Sequence, residues 1–164
     1  METHQVDAFD FCRGKDARSG ETPVREFGRL AAEVLDQTGS IRWSVQGSVD
    51  GRGTPRMDVQ VSGMVVLRCQ RCLAPMDFQI DSAAAVAVAA DDDAADALDE
   101  TLSEEPVEVV VGSSSFDLLL LVEDEVLLTL PPAPRHQQCI GDTLLAEQAE
   151  AKESPFAVLG KLKN

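Results

Sequence analysis

The stretch LRCQRCL, residues 67–73, lies between two long runs of alternating apolar and polar residues. Cys69 and Cys72 are separated by two residues, a spacing at which both sulfurs can bind one metal ion. A second pair with the same spacing, His136 and Cys139, follows a long apolar segment further along the chain. If the two pairs meet in space, they fix the tertiary fold. If they do not, the first pair is a local turn with two thiols.

Alternation on both sides of this stretch predicts long strands. Apolar residues occupy odd positions over 40–49 and again over 56–69, and the turn signal Asp50-Gly51-Arg52-Gly53 separates the two runs. This pattern predicts a β-hairpin. After the cysteines, apolar residues move to even positions over 76–90, which predicts a third long strand, and 107–111 predicts a brief fourth one. Gly47 and Gly63 lie inside the strands and predict bulges or bends in a curved sheet.

Two helices are predicted, over 23–37 and 115–130. Thr22-Pro23 suits the start of the first helix, because threonine is a good N-cap and proline is tolerated at the first helical position. Ser113-Ser114-Ser115 is expected to cap the second helix, and Pro131-Pro132 ends it.

The remaining segments are predicted to be irregular or short. Residues 5–13 are predicted to form a short strand and residues 14–20 a charged loop. The acidic segment 91–105 is predicted to be a mobile loop, either a solvated linker or an electrostatic attractant for a basic partner.

The pattern as a whole predicts an α+β fold with a curved, barrel-like antiparallel sheet and two packed helices. One domain is expected over 1–134, with a loose C-terminal tail over 135–164 that contains a small apolar plug, Pro155-Phe156-Ala157-Val158-Leu159.

The charge is unevenly distributed along the 164 residues, whose net charge is −15. Residues 1–75 have ten Lys or Arg and ten Asp or Glu, whereas residues 76–164 have four and nineteen. This balance argues against RNA binding over the whole surface of the protein, since nucleic-acid affinity normally comes from basic side chains. The acidic half favours contact with a basic protein, such as a ribosomal protein; the alternative is that the charge serves solubility alone.

The chain is expected to be cytosolic, with reduced thiols. Four cysteines are too few for a disulfide scaffold. The first ten residues have neither a basic n-region nor an apolar h-region, so no signal peptide is predicted. The leucine-rich apolar run Leu118–Val122 is far shorter than a membrane span.

Cys69, Cys72, His136 and Cys139 form a candidate Cys₃His zinc site, because thiolate and imidazole are ligands that Zn²⁺ prefers. One alternative is a metal-free core in which Cys69 is packed and Cys72 exposed. A redox dithiol is less favoured, because no helix follows Cys72 to lower a thiol pKa. Cys12 and His4 are isolated and are interpreted as structural or incidental. No motif of a hydrolase, a nucleotide-binding loop or a zinc protease is found.

Two charged groups are candidate contact sites. The arginines on or beside the hairpin are expected to form a basic edge able to touch rRNA phosphates, the alternative being ordinary surface charge; they are Arg52, Arg56, Arg68 and Arg71. The acidic cluster Glu123, Asp124 and Glu125 lies on the second predicted helix and is a candidate partner-binding patch. Consecutive helical residues point in different directions, so the cluster is interpreted as a solvated face and not as a Mg²⁺ site.

Three blocks of sequence, taken in order, resemble one protein family. They are Leu67-Arg68-Cys69-Gln70-Arg71-Cys72; Phe116-Asp117-Leu118-Leu119 with Val122-Glu123-Asp124-Glu125 and Leu130-Pro131-x-x-Pro134-x-His136; and Ser154-Pro155-Phe156-Ala157-Val158-Leu159. The resemblance is to the YceD family, the large ribosomal RNA subunit accumulation proteins of bacteria. It implies a role in synthesis, processing or stability of 23S rRNA without enzymatic activity. Many relatives have further cysteines after the proline-rich helix end, where this chain has only His136 and Cys139.

The resemblance predicts a non-enzymatic ribosome-biogenesis factor. Its expected partners are a ribosomal protein or an rRNA-processing factor and a 23S rRNA precursor, with no membrane and no small-molecule substrate. Two alternatives are a zinc-dependent protein-binding module unrelated to ribosomes and a thiol oxidoreductase that uses the C-x-x-C pair.

Overall fold

The computed structural model describes residues 4–139. Its main sheet has five strands in the order β2-β3-β4-β5-β6. They are β2 (Ala17–Pro23), β3 (Ser40–Val49), β4 (Pro55–Arg68), β5 (Pro75–Ala89) and β6 (Val107–Val111). A second sheet has two short strands, β1 (Gln5–Val6) and β7 (Phe116–Asp117), which pair antiparallel.

Four α-helices accompany the sheets in the described part of the chain. They are α1 (Ala8–Arg13), α2 (Leu30–Glu33), α3 (Asp92–Leu102) and α4 (Leu118–Thr129), and a 3-10 turn at Val24–Glu26 precedes α2. The predicted α+β class is therefore confirmed. Among residues 4–139, no helix is both long and apolar enough to cross a membrane.

The strand predictions around the cysteines are confirmed to within one residue at each end. The antiparallel register places odd residues of β3 and β4 and even residues of β5 on one face, as in Trp43 opposite Val61 and Met57 opposite Val86. These four side chains are buried. The phase change from odd to even across the cysteines is thus the sequence signature of a sheet with one apolar face.

α4 covers this apolar face. Leu118, Val122 and Val126 are fully buried, and they recur at the four-residue spacing of one helix face. Pro131 follows the helix, as predicted, and Asp117 is its N-cap, accepting a hydrogen bond from the Leu119 N–H at 2.9 Å. The predicted start at 115 was wrong, because residues 116–117 pair with β1 before the helix begins.

The sheet is neither closed nor wholly antiparallel. β6 pairs with β5 in parallel, which the crossover through α3 permits, since parallel neighbours need a long connection. β2 and β6 are the two ends of the strand order and do not meet, so the predicted barrel-like shape is only a loose description.

The N-terminal predictions were wrong in two places. Residues 5–13 form only the two-residue β1 and then α1, because the Asp7 carboxylate accepts hydrogen bonds from the Phe9 and Asp10 N–H groups and so starts a helix. The predicted loop over 14–20 contains most of β2, an edge strand whose side chains are mostly exposed. Backbone hydrogen bonds to β3 hold this strand in place. Its residues therefore do not alternate between apolar and polar, and the strand could not be predicted from such a pattern.

The predicted helix over 23–37 is replaced by the 3-10 turn and the four-residue α2. Thr22 does not cap a helix; its buried hydroxyl accepts a hydrogen bond from the Trp43 indole N–H at 2.9 Å. Pro23 is the last residue of β2 and pairs with Ser40. The chain must turn back to that pairing within sixteen residues, so the tertiary sheet contacts override the helical periodicity.

The predicted acidic loop over 91–105 contains helix α3. The Asp91 carboxylate accepts a hydrogen bond from the Ala94 N–H at 2.8 Å, and Asp92 and Asp93 lie in the first turn, where the helix dipole favours negative charge. Leu102 is buried. Helix α3 lies against β5 and β6.

Gly47 and Gly63 do not mark bulges, because the pairing register passes through both without interruption. They allow close approach instead. A Cβ added at Gly47 would lie 2.4 Å from the Phe11 carbonyl oxygen, and one at Gly63 would lie 2.8 Å from the Ser40 carbonyl oxygen. α1 can therefore lie directly on β3 only because residue 47 has no side chain.

Replacing Gly47 with alanine is expected to lower the free energy of unfolding by about 2 kcal/mol, since α1 must shift to remove the backbone overlap. Gly51→Ala is the matched control, because nothing lies within 4 Å of a Cβ at that position. Urea unfolding of both variants measures the difference. Equal midpoints would contradict the close approach of α1 to β3.

Candidate metal centre

The first cysteine pair lies in a tight turn between β4 and β5. The Cys69 N–H donates to the Ala74 carbonyl at 3.0 Å, and the Leu73 N–H donates back to the Cys69 carbonyl at 2.9 Å. Leu73 has a left-handed φ of 63°, an uncommon conformation for a bulky residue. These backbone bonds turn both sulfurs toward the same side of the hairpin end.

The second pair reaches this turn because the chain runs from α4 through a proline-rich segment alongside it. The Gln70 N–H donates to the Pro134 carbonyl at 2.8 Å and joins the two segments. His136 Nε2 lies 3.1 Å from the Pro75 carbonyl oxygen. A proton on Nε2 satisfies that carbonyl and leaves Nδ1 as an acceptor, which is how a second contact orients a metal-binding histidine.

The structure brings all four predicted ligands together. Their ligand atoms lie within 4.8 Å of one another, with Cys69 Sγ 3.7 Å from Cys139 Sγ and Cys72 Sγ 3.3 Å from His136 Nδ1. Tetrahedral zinc requires S···S distances of about 3.8 Å and S···N distances of about 3.6 Å. The two short pairs already have nearly these separations, so the cluster can hold one metal ion after a small contraction of the others.

Two thiols of this cluster, those of Cys69 and Cys139, have pKa values shifted in opposite directions. The Cys72 backbone N–H lowers the pKa of Cys69 to about 5 against the opposing effect of burial, with help from the His136 and Arg71 N–H groups. Burial and the neighbouring sulfurs raise the pKa of Cys139 to about 11. One thiolate is therefore stable alone, whereas further thiolates repel it until a cation neutralises the group.

Residues 135–139 belong to the folded unit, because His136 and Cys139 contact the turn between β4 and β5. The rest of the predicted tail, including the apolar plug at 155–159, lies outside the described residues.

Comparison with known proteins identifies the family. The model of the family "Large ribosomal RNA subunit accumulation protein YceD" matches residues 57–163. A protein of that name from Haemophilus influenzae is 31% identical over 154 residues, which cover 88% of this chain and 86% of the relative. The chain belongs to the YceD family. No solved structure gives a significant match.

Two of the four predicted contact arginines are paired with carboxylates in this YceD-family chain. Arg56 is half-buried and contacts Asp50 at 3.0 Å and Glu105 at 2.8 Å, and Arg52 contacts Glu105 at 3.1 Å. The Arg56 guanidinium lowers the pKa of Glu105. Both arginines thus have anionic partners at the far end of β4.

The other two arginines, Arg68 and Arg71, are exposed beside the candidate metal ligands. Arg56 and Arg68 are separated by roughly 40 Å of extended strand, so the four arginines do not form one basic edge. Arg135 is also exposed and directly precedes His136. Sequence reasoning missed Arg135, although its position next to a predicted ligand was a usable signal.

The acidic cluster of this YceD-family chain is divided among different partners. Glu123 is buried, and its Oε1 accepts hydrogen bonds from the Arg29 and Leu30 N–H groups at 2.7 and 3.1 Å. Asp124 contacts the Arg29 guanidinium at 2.6 Å, and Glu125 contacts Ser82. The prediction of a solvated face was therefore wrong for Glu123, which joins α4 to the start of α2.

Proposed function

We propose that this chain is a non-enzymatic factor in bacterial large-subunit biogenesis that acts in the cytoplasm on the synthesis, processing or stability of 23S rRNA. The observation that supports this most directly is the family match over residues 57–163. That match includes β4 from Met57 onward, the turn with Cys69 and Cys72, and the segment with His136 and Cys139. The relative's name states a role in rRNA accumulation and no chemical reaction.

Within this function we assign a structural zinc ion to Cys69, Cys72, His136 and Cys139. Four protein ligands fill a tetrahedron, and a closed site of this kind stabilises a fold and leaves no open position for a substrate. The ion joins the turn between β4 and β5 to the segment after α4. The thiol oxidoreductase alternative is disfavoured, because β5 and not a helix follows Cys72.

We assign the two kinds of macromolecular contact to different sides of the molecule. Residues 72–134 contain no Lys or Arg. They form β5, β6, α3 and α4, so this side is rich in carboxylates, only some of which are paired with arginines from elsewhere in the chain. It suits a basic ribosomal protein or processing factor. Arg68, Arg71 and Arg135 lie around the metal ligands and suit rRNA phosphates.

Depletion of the protein from the bacterium that encodes it is expected to lower the ratio of 23S to 16S rRNA, and expression of the wild-type chain is expected to restore it. The double variant Arg68→Glu/Arg71→Glu should restore the ratio only in part, because phosphate contacts become repulsive. Quantification of both rRNAs from total RNA measures the effect.

Arg18→Glu is the control, since Arg18 is an exposed arginine on the edge strand β2, two strands away from β4. Full restoration by the double variant would remove the assigned RNA contact while leaving the role in rRNA accumulation. An unchanged ratio after depletion would overturn the function itself, and recovery of only non-ribosomal proteins in a pull-down would then favour the zinc-dependent binding module.

A further inference from the structure

An apolar groove runs between β6 and α4. It consists of two adjoining depressions of about 390 and 430 Å³, both lined by Val110, Leu121 and Asp124. One extends to Val86 of the sheet, and the other extends to Phe116. The groove therefore follows α4 along much of its length beside the last strand of the sheet.

Large apolar side chains, which are normally buried, are exposed along the groove. Six large apolar residues are exposed in the described part of the chain, and two of them line the groove. Leu120 is 55% exposed and Leu128 66%. A cluster of this kind is typical of a surface that another segment covers.

The rim of the groove is acidic. Glu108, Asp117, Asp124 and Glu125 line it, and the one basic lining residue, Arg29, is paired with Glu123 and Asp124. A segment that fits the groove must therefore combine apolar side chains with positive charge.

We propose that residues 155–163 of the same chain occupy this groove. The segment reads Pro-Phe-Ala-Val-Leu-Gly-Lys-Leu-Lys, with an apolar run followed by two lysines. Its apolar residues match the floor, and its lysines match the carboxylates of the rim. Residues 1–3 and 140–164 lie outside the described part, and within them this is the one apolar run that basic residues directly follow.

The length of the intervening chain permits this docking. The described part ends at Cys139, which contacts Cys69 at the end of β4, and the segment that follows α4 leads directly to it. Residues 140–154 can span up to about 50 Å when extended. α4 itself has twelve residues and is about 18 Å long, so the segment can reach any point along the groove.

An attached segment also has a concentration advantage over other occupants. A tether of this length holds its end at an effective concentration near the millimolar range, which exceeds that of a second copy or a free protein in dilute solution. A weak fit of four apolar residues and two charges is therefore sufficient for occupancy within one chain, where it would not hold two chains together.

Photo-crosslinking in the full-length protein tests the docking. p-Benzoylphenylalanine is placed at Leu128, the protein is irradiated, and the linked peptides are identified by mass spectrometry. We expect a link to a peptide that contains residues 155–163. Lys161→Glu/Lys163→Glu in the same protein should lower the yield about fivefold, because two attractive contacts become repulsive and each exposed contact is worth little alone.

Met64 is the control position, because it is 53% exposed and projects from the face of the sheet opposite α4. Irradiation of a mixture of isotopically light and heavy protein separates links within one chain from links between two. A specific link within one chain at Leu128 supports the proposal. Equal yields at Leu128 and Met64, no link to residues 155–163, or a link only between light and heavy chains would each overturn it.

Discussion

The variant Cys72→Ser is expected to lose bound zinc and much of the stability that the ion provides. A hydroxyl is a poor zinc ligand, so the variant has three effective ligands in place of four. When free zinc exceeds the dissociation constant 1000-fold, the ion contributes about 4 kcal/mol to folding. For a chain of this size, loss of that contribution lowers the melting temperature by roughly 10 °C.

Cys72 is the informative position because its side chain is only half-buried, so serine leaves no cavity in the core. Cys12→Ser makes the same chemical change at a buried cysteine whose sulfur contacts the Arg56 carbonyl, outside the cluster. Elemental analysis after purification without chelator should find one equivalent of zinc in the wild type and in Cys12→Ser, and far less in Cys72→Ser. A metal-free wild type, or an equal content in all three, contradicts the zinc assignment.

The sequence predicted the three long strands well because they obey one strong rule. Their period-2 alternation, the glycine turn at 50–53 and the phase change at the cysteines all follow from a sheet that buries one face. β2 follows no such rule. As an edge strand it is held by backbone hydrogen bonds to β3, and those bonds depend on no particular side chains.

The helix errors have a different physical cause. The segment 91–105 lacks large apolar residues and was interpreted as a loop, yet Asp91 followed by acidic residues and by Ala94, Leu98 and Leu102 at four-residue spacing is an N-capped helix. For residues 23–37 the error was the reverse, because a long helix was predicted where the structure has only a 3-10 turn and the four-residue α2. The helical spacing was genuine, but the pairing of Pro23 with Ser40 left no room for a long helix.

The four residues could be predicted as one candidate metal site, but the sequence could not establish that the two pairs meet. The two-residue spacing is a local property, whereas the meeting of the pairs depends on where α4 ends relative to the turn between β4 and β5. That position is set by packing of α4 on the apolar face and by the hydrogen bond from Gln70 to Pro134. The roles of the charged residues were less predictable still, since the partners Arg29 and Glu123 lie 94 residues apart.

Removal of the Glu123 carboxylate is the second change with a large expected effect. Glu123→Ala should lower the free energy of unfolding by about 3 kcal/mol. The substitution leaves a small cavity and removes the acceptor of the buried Leu30 N–H. Glu123→Gln keeps the size of the side chain and one acceptor oxygen, so its cost should be about half as large. Urea unfolding at neutral pH measures both.

The stability that Glu123 provides should depend on pH with a defined sign. Burial alone would raise the pKa of Glu123, but the Leu30 and Arg29 N–H groups and the Arg29 guanidinium together hold it below the usual value. A carboxyl whose pKa is lower in the folded state stabilises the fold above the unfolded pKa, about 4.3, and loses that effect as the pH falls toward the folded pKa. The difference between wild type and Glu123→Gln should therefore be largest above about pH 5.5 and shrink below about pH 4.

Taking the difference between the two proteins at each pH cancels the effects of other carboxylates and of the metal ligands, which both proteins share. Asp124→Asn is the control, because Asp124 is exposed and contacts the same guanidinium without accepting from the backbone of α2. It should change stability little at any pH. A Glu123→Gln difference that stays constant from pH 6 to pH 3.5, or an equal loss in Asp124→Asn, would show that the contact between α4 and α2 does not depend on the buried charge.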